Sequence, residues 1–262
     1  GAGIYTAQFY GKGDNKGFCQ TVRMKIYIAL LIVGIFTAVM LTMGGRLITA
    51  FLHEGNEGLD LALTYTHAVD YMHIMLIQLL PFAFTQIYAS SMREAKETVL
   101  PMVASIVSVF VNLIGNYILI FGKFGAPVLG VEGAAIATVI ARFVECGILI
   151  IYGHVKAKRF LFFAELYKSF KVSGEIATEV LRKSAVLLVN ELLWSSGMTM
   201  LTQSYSLRGL EVVSAVNIAS TVGNLFMCGV FACGSTINIL VGQQLGAGNL
   251  DRAVETSRRI AI

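Results

Sequence analysis

The chain has 262 residues, of which 56% are hydrophobic and only 14% charged. Soluble domains carry about 25% charged residues, so a water-soluble globule is excluded and an all-α membrane protein, a polytopic helical bundle, is expected. The net charge of +4 says less than where the cations sit. The 4 cysteines, Cys19, Cys146, Cys228 and Cys233, form no CxxC pair. They read as small buried hydrophobes, not as a disulfide or zinc framework.

The opening residues read as the tail of a span, and they carry a motif that returns near the other end. Gln8-x-x-Gly11-x-Gly13-Asp14 and Gln243-x-x-Gly246-x-Gly248-Asn249 lie 235 residues apart, and Thr21 with Thr256 and Arg23 with Arg258 keep the same offset. Repetition at that period implies two related halves, and internally repeated membrane proteins are mostly transporters. Position 1 is Gly, no charged segment leads into an apolar one as a signal peptide would, and residues 258–262 stop as a new apolar run begins. Both ends are expected to be cuts.

Crossing the hydrocarbon core takes about 20 apolar residues in a helix. Six stretches qualify: 25–45, 71–91, 99–122, 133–153, 184–206 and 212–242. The last would be about 46 Å long, so it is expected to tilt or protrude. Pro81 and Pro101 predict kinks of the kind membrane helices tolerate.

Sixteen of the 20 Lys and Arg fall in alternate connections, at 12–25, 93–96, 156–183 and 252–259. The other connections hold only Arg46, Lys123 and Arg208, and Arg142 lies inside a span. By the positive-inside rule the basic loops are cytoplasmic. Segment 154–183 is the longest and most basic connection. Phe160, Leu161, Phe163, Leu166, Tyr167 and Phe170 recur there at helical spacing among lysines, which predicts an amphipathic linker on the membrane surface.

An ionisable group at bilayer depth costs about 2.5–3.5 kcal/mol even on the lenient scale, so each one asks for a reason. Glu191 lies 8 residues beyond Lys183, roughly 12 Å into its span. Desolvation disfavours its bare carboxylate, so it is a group suited to exchange a proton or a metal cation, or else it is hydrogen-bonded for packing. Asn112 and Asn116 share a helix face, and a water-filled cavity, a bound cation or interhelical hydrogen bonding satisfies them. Asn217, Thr221, Asn224 and Cys228 form a second polar stripe, a cavity lining or a packing seam. Arg142 and Glu145, three apart, neutralise one another. His67, Asp70 and His73 do not share one helix face, which argues against a metal site. Residues 242–248 match neither nucleotide-binding glycine pattern.

The block Asn112-Leu-Ile-Gly-Asn116…Gly122…Gly125-Ala-Pro127-Val-Leu-Gly130-Val-Glu-Gly133-Ala-Ala-Ile-Ala-Thr138, with Arg93 and Pro101 before it, resembles the multidrug and toxic compound extrusion (MATE) family. So do Asn190-Glu191-Leu-Leu-Trp194-Ser-Ser-Gly197 and the Gln243–Asn249 motif. The resemblance covers nearly the whole chain, and it implies a two-lobe, twelve-helix inverted-V transporter that exchanges sodium ions or protons for bulky, mostly cationic organic compounds. On that map the chain runs from the end of the second span to the start of the ninth. Residues 1–153 are the remainder of the N-terminal lobe, 154–183 the interlobe linker, and 184–262 the start of the C-terminal lobe. The resemblance implies that Glu191 couples to the cation and that Asn112, Asn116 and Thr138 line the first-lobe cavity; Trp194 and the stripe of Asn217, Thr221 and Asn224 are expected to line a cavity as well. Several members have an aspartate where Asn116 stands, which weakens a proton site there. No catalytic residue, resident metal or cofactor and no nucleic-acid partner is expected. A monomer in the plasma-membrane bilayer, acting on small organic molecules, is expected instead. Two rivals are a lipid-linked oligosaccharide flippase, which would need more intramembrane cations than Arg142, and a membrane-embedded metal enzyme built on His67, Asp70 and His73.

Overall fold

Apolar runs of this length leave the backbone one way to satisfy its polar groups inside a bilayer, the α-helix. The computed structural model describes residues 2–51, 61–155, 165–208 and 210–261. Among them are nine α-helices: α1 (Ala2–Lys12), α2 (Asn15–Phe51), α3 (Leu61–Ile77), α4 (Leu79–Glu94), α5 (Val99–Phe121), α6 (Gly130–Val155), α7 (Gly174–Ser206), α8 (Leu210–Gly246) and α9 (Leu250–Ala261). Five helices are long and apolar enough to cross a membrane, and α3 with α4 makes a sixth span bent by 41°. The six expected stretches all fall on these spans.

The bend has a chemical cause. Pro81 has no N–H, and its ring crowds the carbonyl four residues back, which belongs to Ile77, the last residue of α3. Pro101 behaves otherwise, and the expected kink there is absent. It is the third residue of α5, within the first turn, where backbone N–H groups have no helical partner anyway. Cys19 and Cys146 are buried as expected, but Cys228 and Cys233 are exposed, because the middle of α8 packs against little among the described residues.

The chain divides into two compact units. One comprises Gly1–Met24 and Ser169–Ile262, and it holds both copies of the repeated motif. In each copy a helix ends in a left-handed glycine, Gly13 with φ 76° and Gly248 with φ 78°. The chain then turns through matching bonds: the Asp14 N–H donates to the Phe9 carbonyl at 2.9 Å, and the Asn249 N–H to the Gln244 carbonyl at 3.0 Å. This is the Schellman closure, which a side chain would strain. Asp14 then caps α2, its carboxylate accepting the Gly17 N–H at 3.0 Å.

The two copies also pack on each other reciprocally. A Cβ at Gly11 of α1 would fall on the Gln243 carbonyl oxygen of α8, and one at Gly246 on the Gln8 carbonyl oxygen. The offset of 235 that relates Gln8 to Gln243 relates Gly11 to Gly246 as well. The sequence repeat is thus a repeat in space, with an approximate two-fold axis between the copies.

In the same unit, α7 begins at Gly174, so Arg182 and Lys183 lie on it, ahead of its apolar stretch. The strand of chain before it is tied to α2: the Ser173 N–H donates to the Gln20 side chain at 3.1 Å and Arg23 to the Lys171 carbonyl at 3.2 Å. Of the expected amphipathic linker, Phe160, Leu161 and Phe163 lie outside the described residues.

The other unit is Lys25–Lys168. Here α5 and α6 approach closely because small residues line their seam. A Cβ at Gly133 would sit 2.7 Å from the Leu119 carbonyl oxygen, and one at Gly115 3.0 Å from the Ala137 methyl. Ala104, Ala135, Ala137 and Ala141 are all buried. Lys25 and Glu94, both nearly buried, form an ion pair at 2.5 Å between α2 and α4.

Candidate functional site

The close approach of α5 and α6 brings their polar side chains together in apolar surroundings. Asn112 donates from Nδ2 to the Thr138 hydroxyl at 3.1 Å, and Asn116 donates to Asn112 Oδ1 at 3.1 Å. The Thr138 hydroxyl in turn donates to the Ala134 carbonyl at 2.9 Å. These bonds leave Asn116 Oδ1 buried and without a hydrogen-bond partner among the described residues. An oxygen with free lone pairs in that position suits a cation or a water.

The polar strip continues along both helices. Ser108 donates to the Ala141 carbonyl at 3.0 Å and Ser105 to Glu145 Oε1 at 2.7 Å. Arg142 donates to Glu145 Oε2 at 2.8 Å, which is the expected pairing. Between these groups is a cavity of about 310 Å³, lined also by Gln86 of α4. Arg142 sits 12 residues into the 26-residue α6, so the cavity is near the middle of the span.

The structure therefore brings Asn112, Asn116 and Thr138 together. Glu191, Trp194, Asn217, Thr221 and Asn224 belong to the other unit and lie exposed on α7 and α8. Glu191 stands midway along α7 with no hydrogen bond or ion pair among the described residues. Thr221 donates to the Asn217 carbonyl at 2.8 Å, a bond within α8. His67 faces Glu132 at 3.5 Å, and among the described residues no three His, Cys, Asp or Glu gather closely enough to hold a metal ion.

Gln86, Ser105 and Ser108 are absent from the sequence-derived set. The serines were findable, because 105, 108 and 112 follow helical spacing on an otherwise apolar helix. Gln86 was not, since only the packing of α4 shows where it points. A wider, more open cavity of about 1040 Å³ lies in the first unit, beside Asp14, Lys16, Gln20, Glu175 and Glu179. Its charges belong to exposed helix starts, and none of the expected site residues lines it.

Spans made of helices alone, with amides and an ion pair gathered between two of them, define a multi-pass membrane protein of the polytopic helical class. The MatE family model matches residues 1–118 and 185–262. The chain belongs to the MatE family. It is 29% identical over 266 residues to a probable multidrug resistance protein NorM of Thermotoga maritima, covering 99% of this chain and 53% of that one. It is 25% identical over 257 residues to multidrug resistance protein MdtK of Pectobacterium atrosepticum, covering 94% of this chain and 52% of the relative.

Two solved structures share the fold. One is an outward-facing multidrug resistance MATE family transporter of the MOP superfamily, with a TM-score of 0.72 at 20% identity over 99% of this chain and 55% of that chain. The other, MATE in the bent conformation, gives 0.73 at 18% identity over 99% and 56%. The chain spans about half the length of the curated relatives it matches.

Proposed function

We propose that the protein is a cation-coupled exporter of bulky, mostly cationic organic compounds, working by alternating access and catalysing no covalent chemistry. The observation that carries this reading is the polar cavity between α5 and α6, whose lining Asn112 is bonded to an Asn116 that leaves one buried acceptor over. Amides in hydrocarbon are costly unless hydrogen-bonded or set in a hydrated or ligand-binding cavity, and the bonds of Asn112 and Asn116 still leave Asn116 Oδ1 without a partner among the described residues. In this reading residues 1–153 belong to the first lobe, 154–183 join the lobes and 184–262 open the second. Glu191 binds the coupling ion, sodium or proton, and Trp194, Asn217, Thr221 and Asn224 line the second-lobe cavity. The protein acts as a monomer in the plasma membrane with its basic loops in the cytoplasm.

The mechanism requires that ion and compound prefer opposite conformations, because a ligand with no preference shifts no equilibrium. A carboxylate suits that task, since its charge is costly in an apolar state and acceptable when an ion occupies it. The test is efflux of a fluorescent organic cation from vesicles holding the full-length protein, under an imposed sodium or proton gradient. Gradient-driven export that disappears in Glu191→Gln supports the reading and identifies the ion. Export unchanged in that variant removes Glu191 from coupling, and no export under either gradient turns the reading toward lipid-linked oligosaccharide translocation.

A further inference from the structure

The Arg142–Glu145 pair is lopsided. The Glu145 side chain is 6% exposed, and both its oxygens are taken, one by Ser105 and one by Arg142. The Arg142 side chain is 36% exposed. Among the described residues, only its Nη1 makes a hydrogen bond, although a guanidinium has five N–H donors. Its carbon lies 5.1 Å from the centre of the Phe82 ring, which holds the guanidinium at the cavity wall. Both Arg142 and Glu145 line the 310 Å³ cavity, but the carboxylate oxygens are already engaged, whereas the guanidinium keeps donors open.

The stacking of Arg142 on Phe82 ties α6 to α4, but a structural role accounts for only part of this arrangement. Both partners are on α6, so their bond ties no two helices together. The contact that does cross to α5 is Ser105 to Glu145, and it needs no arginine. Glu145 makes an intramembrane Arg142 tolerable, but neutralisation alone gives no reason for the guanidinium's open side.

The hydroxyl hydrogens nearby are engaged, those of Ser105, Ser108 and Thr138 on carboxylate or carbonyl oxygens, which leaves the neutral amides of Gln86 and Asn112 as the other N–H donors lining the cavity. No second acidic side chain lines the cavity. The open group is a planar fork of donors suited to two-point binding of an oxyanion. The cavity is at the low end of the ligand-pocket range of about 300–1,000 Å³. That is room for one end of a bulky compound, with Val109 and Ala141 offering an apolar wall beside the charge.

We propose that Arg142 anchors the acidic end of carboxylate-bearing, zwitterionic compounds, so that this pocket selects organic zwitterions over simple cations. The proposal rests on the reading of the pocket as part of the compound's path. It concerns which compounds are held, whereas Glu191 concerns which ion drives them.

The test uses the full-length protein in detergent and a rhodamine carboxylate paired with its methyl ester, with binding followed by fluorescence polarisation. The wild type is expected to bind the acid roughly tenfold more tightly than the ester, the difference a charge-assisted hydrogen-bond pair makes. In Arg142→Met the acid-to-ester ratio is expected to fall to near one, and in Arg142→Lys to recover part of the preference. Because Arg142→Met strands Glu145, the charge-free pair R142M/E145Q carries the same comparison if the single variant misfolds. A ratio near one in the wild type, or a ratio unmoved in both variants, overturns the anchor. Failure of the underlying pocket reading looks different: the dyes bind, but Asn112→Ala and Thr138→Ala weaken neither of them. A wild type that binds neither dye overturns both.

Discussion

Adding one methyl group at Gly11 tests how closely α1 and α8 cross. A Cβ there would stand 2.8 Å from the Gln243 carbonyl carbon and 2.9 Å from its Cα, and a Cβ at Gly246 2.7 Å from the same atoms of Gln8. Non-bonded carbons rest at about 3.5–4.0 Å, so either alanine must drive the two backbones about 1 Å apart. Overpacking costs about 1–3 kcal/mol. The obstacle here is backbone, which cannot rotate aside, so the upper end applies. Alanine's helix advantage over glycine returns about 1 kcal/mol, leaving an expected net loss of about 2 kcal/mol for Gly11→Ala.

The reciprocal geometry adds a sharper expectation. Once one methyl has separated the helices, the second finds the gap already open, so the G11A/G246A pair should lose clearly less than the sum of the singles. Gly34→Ala on α2 is the control, because its Cβ would meet nothing within 4 Å, and it should be neutral or stabilising. Thermal unfolding of the purified full-length protein in detergent reads all four. A Gly11→Ala variant as stable as the wild type, or strictly additive losses, would refute the close crossing.

Other outcomes follow from the second unit. Arg142→Ala, which strands the buried Glu145, should cost about 3 kcal/mol, and Glu145→Gln, which leaves an arginine already facing the cavity, nearer 1 kcal/mol; denaturant titration ranks the two, and the reverse order contradicts the described exposure. Lys25→Met removes the Lys25–Glu94 ion pair between α2 and α4 and should destabilise by about 3 kcal/mol, with Lys25→Arg retaining most of the stability in the same titration. Asn112→Ala removes the acceptor for Asn116 and the donor to Thr138, so it should cost about 1–3 kcal/mol, against about 1 kcal/mol for Thr138→Val; thermal melts showing equal losses would deny Asn112 its central place.

Much of the fold was legible because span length and cation placement are one-dimensional signals. The stretches at 99–122 and 133–153 match α5 and α6 to within a few residues at each end. Pro81 marked the bend between α3 and α4, whereas Pro101 was misread: the expected stretch already began at 99, which puts this proline in the first turn, where it breaks no helical hydrogen bond. The cysteines of α8 were read as buried from local hydrophobicity, but burial depends on which helices stand alongside. The polar pocket was half legible. Asn112, Asn116 and Thr138 stood out as amides and a hydroxyl in apolar runs. Gln86 and the open side of Arg142 emerge only from three-dimensional packing, and the i, i+3 spacing to Glu145 concealed the latter by suggesting complete neutralisation.

The α1–α8 crossing has the logic of an isologous contact, the kind two identical subunits make, realised inside one chain. The position on its axis can be read directly: Gly242 is the counterpart of Ala7 at the same offset of 235, and a Cβ at Gly242 would meet the Ala7 methyl at 3.2 Å. Each repeat therefore recognises a copy of itself. A side chain enlarged at this position in both copies would collide with its own double, so the space available there is half of what either helix alone would allow. Within a single chain the two copies are free to differ, and the alanine facing a glycine divides that shared space unequally.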